Sequence, residues 1–214
     1  MATSDPSQRQ RALTSPAAKA DGATIVGFRL RSGRAVVVLL QSAAAEPIVV
    51  DRREILLADP SVPGSAQPYH AALGAHAHAG AKAVARMTAI VERCAHEAVA
   101  ELIAAASPAR LSGAAIVVGS AVDPTTIAND HIRAHAEEGK LFREVVERAC
   151  GASGLPSRTF VEKGLLAAAS GVLGSQPAAL KARVARLTRP PGPWRSDEKV
   201  AALAAWIVLV TGDW

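Results

Sequence analysis

Apolar residues first recur along this chain in the short, dense runs of β-strands. Thr24 to Leu30 (Thr-Ile-Val-Gly-Phe-Arg-Leu) and Ala35 to Gln41 are two such runs. The second is almost continuously apolar, the pattern of a strand covered on both faces. Arg31-Ser32-Gly33-Arg34 lies between them and reads as a turn, with Gly33 able to take a positive φ. After a short loop, Pro47 to Leu57 supplies a third strand, so short links predict an antiparallel meander. Pro60, Pro63 and Gly64 then mark Asp59 to Gln67 as a loop.

Beyond that loop the apolar spacing changes to threes and fours. Tyr69 to Ala106 is Ala-rich, and Val84, Met87, Ile90 or Val91, Cys94, Ala98 and Leu102 form one helical stripe, while Gly74 and Gly80 leave the first third of the stretch open. Ala114 to Val118 is a short β-branched run ending in Gly119-Ser120, a fourth strand. Asp123-Pro124-Thr125-Thr126 carries a capping residue followed by Pro at the first helical position. It predicts a helix to about Cys150, with a restart near Asn129 and Gly151 as the C-cap. Arg158 to Val161 suits a fifth strand, and Gly164 to Leu173 and Pro177 to Leu187 suit helices. A stiff connector, Arg189-Pro190-Pro191-Gly192-Pro193, precedes a last helix capped by Ser196 and running from Asp197 to about Val210. The order β-β-β-α-β-α-β-α, with extra helices before the end, predicts an α/β mixed five-stranded sheet flanked by helices. Residues 1–22 lack any period and are expected to be a flexible tail, leaving 23–214 as a single domain.

Composition narrows the class without naming a function. The 214 residues are 50% hydrophobic, 20% charged and only 3% aromatic. That excludes a disulfide-rich scaffold, a collagen-like fibre and a wholly disordered chain. The net charge of +5 admits nucleic acid or an anionic surface as a partner, but over this length it is mild. Cys94 and Cys150 lie in helical stretches without CxxC spacing and read as small core residues of a reducing compartment. The longest apolar run, Ala201 to Val210, is about half of the ~20 residues a membrane span requires. The N-terminus has no apolar segment of the signal-peptide kind. A cytoplasmic protein without membrane attachment is the expectation.

Element order and three local segments together resemble the ribonuclease H-like fold, in its Holliday-junction-resolvase branch. The segments are Ile25-Val26-Gly27-Phe28-Arg29, the Gly119-Ser120 end of the fourth strand leading to Asp123, and the acidic, Ala/Leu-rich helix opening Ser196-Asp197-Glu198-Lys199. The resemblance implies carboxylates on the first strand, near the end of the fourth and on the last helix. There they would hold two divalent metals (Mg or Mn) for phosphodiester hydrolysis. Asp123, Asp197 and Glu198 match those places, but by position Arg29 stands where the first-strand acid belongs. A guanidinium there would repel a metal and suits phosphate or transition-state charge instead. Asp197 and Glu198 read equally as first-turn acids of a helix, and Asp123 as a capping residue.

The densest polar cluster is Asn129-Asp130-His131-Ile132-Arg133-Ala134-His135-Ala136-Glu137-Glu138. On a helix His131 and His135 face one way with Glu138 one turn on, a His-His-carboxylate stripe able to hold zinc, manganese or iron or to move a proton. The same residues also read as solvated groups beside a core face. His70, His76 and His78 lie in an Ala/Gly-rich stretch and are read as compositional. Arg29, Arg133, Arg195 and Lys199 are the candidate substrate-binding cations, and Trp194 beside Arg195 reads as a surface residue or a lid. Three functions follow as expectations. The first is a nucleic-acid-associated protein with an altered metal-dependent nuclease site. The second is a catalytically degenerate binding or scaffold module. The third is a transition-metal enzyme centred on His131, His135 and Glu138.

Overall fold

The computed structural model describes residues 22–106 and 110–213. The expected tail, apart from Gly22, lies outside the described residues. Five strands form one sheet: β1 (Thr24–Arg31), β2 (Arg34–Gln41), β3 (Ile48–Leu56), β4 (Leu111–Val118) and β5 (Ser157–Val161). Their order is β3-β2-β1-β4-β5. β1 pairs antiparallel with β2, and β2 with β3. β4 runs parallel to β1, and β5 parallel to β4. This is the mixed sheet that the element order predicts.

Helices cover both faces, so the central strands are apolar on both sides. Val26, Phe28 and Leu30 face a core shared with α2 (Ala77–Ala105) and α3 (Asp130–Ala152). Ile25, one residue out of phase, faces the opposite core beneath α6 (Ser196–Thr211). The two-residue alternation of strand side chains divides β2 and β4 in the same way. Val37 and Ile116 point to one core, Val38 and Val117 to the other. Helix α6 is buried continuously from Ala201 to Val208, between the sheet and α4 (Glu162–Leu173) with α5 (Pro177–Arg186). A helix apolar all round is a core helix. At the edge, β3 carries Asp51, Arg52, Arg53 and Glu54, charges that discourage pairing with another chain.

Several boundaries move for local reasons. The long helix expected from Tyr69 is a one-turn α1 (Pro68–Ala71), then a break at Gly74, whose φ is +79°, then α2. The Asp123 cap heads only a 3₁₀ turn, Pro124–Thr126, and α3 restarts at Asp130 behind an Asn129 cap that accepts from Ile132 N–H at 2.9 Å. Gly151 is inside α3; the left-handed residue that follows the helix is Gly154. Ser196 is the first residue of α6, and Arg195 precedes it as the N-cap. Cys94 and Cys150 are free thiols, and burial pushes Cys150 up to about 12, so it is an inert packing residue. Among the described residues no helix is long and apolar enough to cross a membrane.

Candidate functional site

Strands β1 and β4 end side by side at one edge of the sheet, because they are parallel and in register from Ile25–Gly113 to Arg29–Val117. The C-terminal ends of parallel strands, where the loops diverge, are the usual place for a ligand site in an open α/β sheet. Here they open into a cleft of about 510 Å³. Its lining includes Arg29 and Arg31 from β1, the Gly119–Pro124 segment after β4, and His135, Lys140 and Arg143 from α3.

Arg29 lies at the sheet end of this cleft and is only 2% exposed. Its guanidinium makes an ion pair with Glu162, the first residue of α4, and donates to the Leu30 carbonyl at 2.8 Å. Nε has no partner. Burial, and next the neighbouring Arg31, pull the Arg29 pKa below its ordinary value, while Glu162 and Asp197 oppose them. The group stays charged, since an arginine does not deprotonate in a protein. Two residues on, Arg31 grips Asp197 with two hydrogen bonds, Nη2 at 2.6 Å and Nε at 3.1 Å. Two arginines and two carboxylates thus form one charge-balanced network across β1, α4 and α6.

The Arg31 fork holds the Asp197 carboxyl below its ordinary 3.8. A carboxyl lowered in the folded state stabilises the protein above its unfolded pKa, and that stability is lost as pH falls through the folded value. Arg31→Gln is therefore expected to be less stable than the parent near neutrality by up to about 1 kcal/mol, the scale of a partly exposed pair. The two proteins should converge as Asp197 protonates. Urea unfolding at stepped pH checks this; a difference that persists undiminished through the acid range would show that the Arg31 side chain acts by packing instead.

The other sequence candidates are placed as follows. Asp123 is exposed and caps the 3₁₀ turn, accepting from Thr125 N–H at 3.0 Å, which lowers its pKa. Glu198 accepts from Arg195 N–H at 3.0 Å at the head of α6. Arg133 donates to the Ile127 carbonyl at 2.9 Å and pairs with Asp130, stitching the entry of α3. Arg195 lines a different cleft with Asp51, Arg52 and Glu198, and Lys199 lines neither. Trp194 is half-buried and donates its indole N–H to the Val184 carbonyl at 3.0 Å. Among the described residues, Asp123, Asp197 and Glu198 do not form a group with ligand atoms close enough to share a metal. A divalent pair held by carboxylates does not fit this edge, because its first-strand position is a buried cation. Glu162, which no local pattern in the sequence marks, is the carboxylate that cation requires.

A different group does come together. His131 and His135, one turn apart on α3, meet His70 from α1, and one ring nitrogen from each lies within 4.8 Å of the others. Ring centroids are 4.2–4.8 Å apart. Glu138 points away from this trio's open side: it is 1% exposed, and its Oε1 accepts from His70 Nδ1 at 2.8 Å and from His70 N–H at 3.2 Å. The compositional reading of His70 is therefore corrected.

Sheet order, strand directions and the closing helix define the ribonuclease H-like fold. The two solved structures of T. thermophilus RuvC agree. The chain is similar to Thermus thermophilus RuvC bound to a Holliday junction substrate, at 11% identity and a TM-score of 0.54 over 89% of this chain and 94% of that one. A second structure of T. thermophilus RuvC gives 11% identity and 0.54 over 88% and 95%. The yeast mitochondrial Holliday junction resolvase Ydc2 aligns at 7% identity and 0.48 over 92% and 83%. No protein-family model and no curated protein sequence matches the chain.

Proposed function

We propose that this chain is a nucleic-acid-binding protein of ribonuclease H-like fold in which an arginine–carboxylate network stands in place of a carboxylate metal centre. The observation that carries this reading is Arg29, buried at the first-strand position and paired with Glu162. A site built around a buried guanidinium and its own carboxylate has no place for two hard cations. The cleft above it supports the same reading. Arg31, Lys140 and Arg143 line it against a single carboxylate, Asp123. Lys140 is exposed and free to meet a phosphate. The RuvC of the same fold was solved on a Holliday junction, which makes branched DNA the first substrate to try.

The test is a gel assay with end-labelled four-way junction, duplex and single-stranded DNA and matching RNA, with Mn²⁺ or Mg²⁺, run native and denaturing. The expected result is a salt-sensitive shift without cleavage. Lys140→Glu with Arg143→Glu should weaken every shift and lower the salt slope by about 1 for each phosphate contact removed. Cleavage abolished by chelator and by Asp197→Ala would overturn the loss of hydrolysis. Absence of any shift at low salt would overturn nucleic-acid binding itself.

A further inference from the structure

We propose that His70, His131 and His135 form a binding site for one transition-metal cation of the zinc class, with Glu138 as the outer carboxylate that orients His70. The site is independent of the nucleic-acid reading, although His135 also lines the cleft.

The argument begins with the buried end. Glu138 is a carboxylate with 1% exposure, and a buried acid needs partners. Its contacts are the Nδ1 and the backbone N–H of His70, while Oε2 has none. In the neutral tautomer whose Nδ1–H donates to Glu138, Nε2 carries a free lone pair. That Nε2 is itself buried and has no hydrogen-bond partner. An orphaned buried acceptor is costly, and neither of the neighbouring imidazoles, His131 and His135, hydrogen-bonds to it. A cation accepting all three lone pairs removes the conflict. A carboxylate holding the far nitrogen of a ligating histidine is the common outer arrangement of such sites, because it fixes the tautomer and makes the ligand more basic.

The geometry also fits. Tetrahedral zinc at ~2.05 Å from each nitrogen places ligand nitrogens about 3.3 Å apart. The three nitrogens here lie within 4.8 Å of one another. His131 and His135 are exposed, so rotation of their side chains closes the difference without moving the backbone. Imidazole ligands select zinc, cobalt, nickel or copper over magnesium, which prefers oxygen. Three protein ligands leave a fourth position for water or an anion, on the side where the two rings meet solvent. The cation would also add a second tie between α1 and α3, beside the Glu138 hydrogen bonds.

The experiment is titration of the chelator-stripped full chain with Co²⁺, followed by its visible spectrum, then displacement by Zn²⁺ against a chromophoric chelator. One Co²⁺ per chain with the intense bands of a four- or five-coordinate site is expected, displaced by one Zn²⁺. His131→Ala and His135→Ala, both at exposed positions, should each weaken Zn²⁺ binding at least ~100-fold. Glu138→Gln should weaken it about 10- to 100-fold. His78→Ala, an exposed histidine of α2, should leave it unchanged. A folded parent protein that binds no stoichiometric Zn²⁺, affinity unchanged in His131→Ala, or an equal loss in His78→Ala would each overturn the site.

Discussion

Glu162→Gln destabilises the protein by roughly 2–4 kcal/mol, far more than a half-exposed glutamate at a helix start would ordinarily cost, because the charge it neutralises is buried. Arg29 is 2% exposed, and Glu162 is 38% exposed. Removing the carboxylate leaves the guanidinium with the Leu30 carbonyl, an unpartnered Nε and the more distant field of Asp197. Breaking one side of a buried ion pair typically costs about 3–5 kcal/mol; water reaching Glu162 and the remaining field of Asp197 reduce that here. The control separates charge from shape. Arg29→Met with Glu162→Gln removes the buried charge together with its partner and keeps most of the volume. This double variant should be more stable than Glu162→Gln alone, which is the reverse of additivity. Urea unfolding of the parent, both single variants and the double variant measures the coupling. Additive losses, or a Glu162→Gln effect below about 0.5 kcal/mol, would mean that Arg29 is satisfied without Glu162.

Arg29 was visible in the sequence as an anomaly and Glu162 was not. A charged residue inside Ile-Val-Gly-Phe-Arg-Leu must be paired if the run is a buried strand. Which acid pairs with it depends on bringing β5 and α4 to the same edge, 133 residues away. The same limit hid His70. The one-turn spacing of His131 and His135 on α3 is local and could be read; the third imidazole arrives through a single helical turn 61 residues earlier, within a segment whose Ala and Gly content says only that it is helical or loose. Glu138 continues the stripe in sequence, which makes it the expected third ligand. The structure turns it inward to His70, since a carboxylate three residues past His135 falls toward the core side occupied by Leu141 and Phe142. Topology was more legible than the site. Strands buried on both faces announce themselves as continuous apolar runs, and β2 reads that way from Ala35 to Leu40. The break between α1 and α2 falls at Gly74, one of the two glycines that interrupt the helical pattern there; its left-handed backbone is the part composition does not reveal.

Gly27→Ala is the substitution expected to damage the fold most for its size. A β-carbon on Gly27 would lie 2.2 Å from the Ala201 carbonyl oxygen, 2.8 Å from its carbon and 3.2 Å from the Ala205 side chain. The first two are backbone atoms of a helix and cannot rotate aside. Helix α6 would have to retreat from β1 by about 1 Å to restore a tolerable contact. It also packs on β2 and β4, so one methyl group would loosen the whole sheet–helix layer. Overpacking usually costs about 1–3 kcal/mol and more where backbone must move, so a loss of ~3 kcal/mol is expected. For a chain of this length that corresponds to roughly 6–12 °C in Tm. Gly171→Ala, in α4 with open space around its β-carbon, is the matched control and should be neutral or mildly stabilising. The site supplies a second readout. Arg31 is on β1 and Asp197 on α6, so their two hydrogen bonds exist only at this close approach. Gly27→Ala should therefore also weaken the acid-range stability difference assigned to that pair. A variant with the parent's Tm and the parent's pH profile would show that β1 and α6 are not pressed together, and with that the arginine–carboxylate network would lose the contact that assembles it.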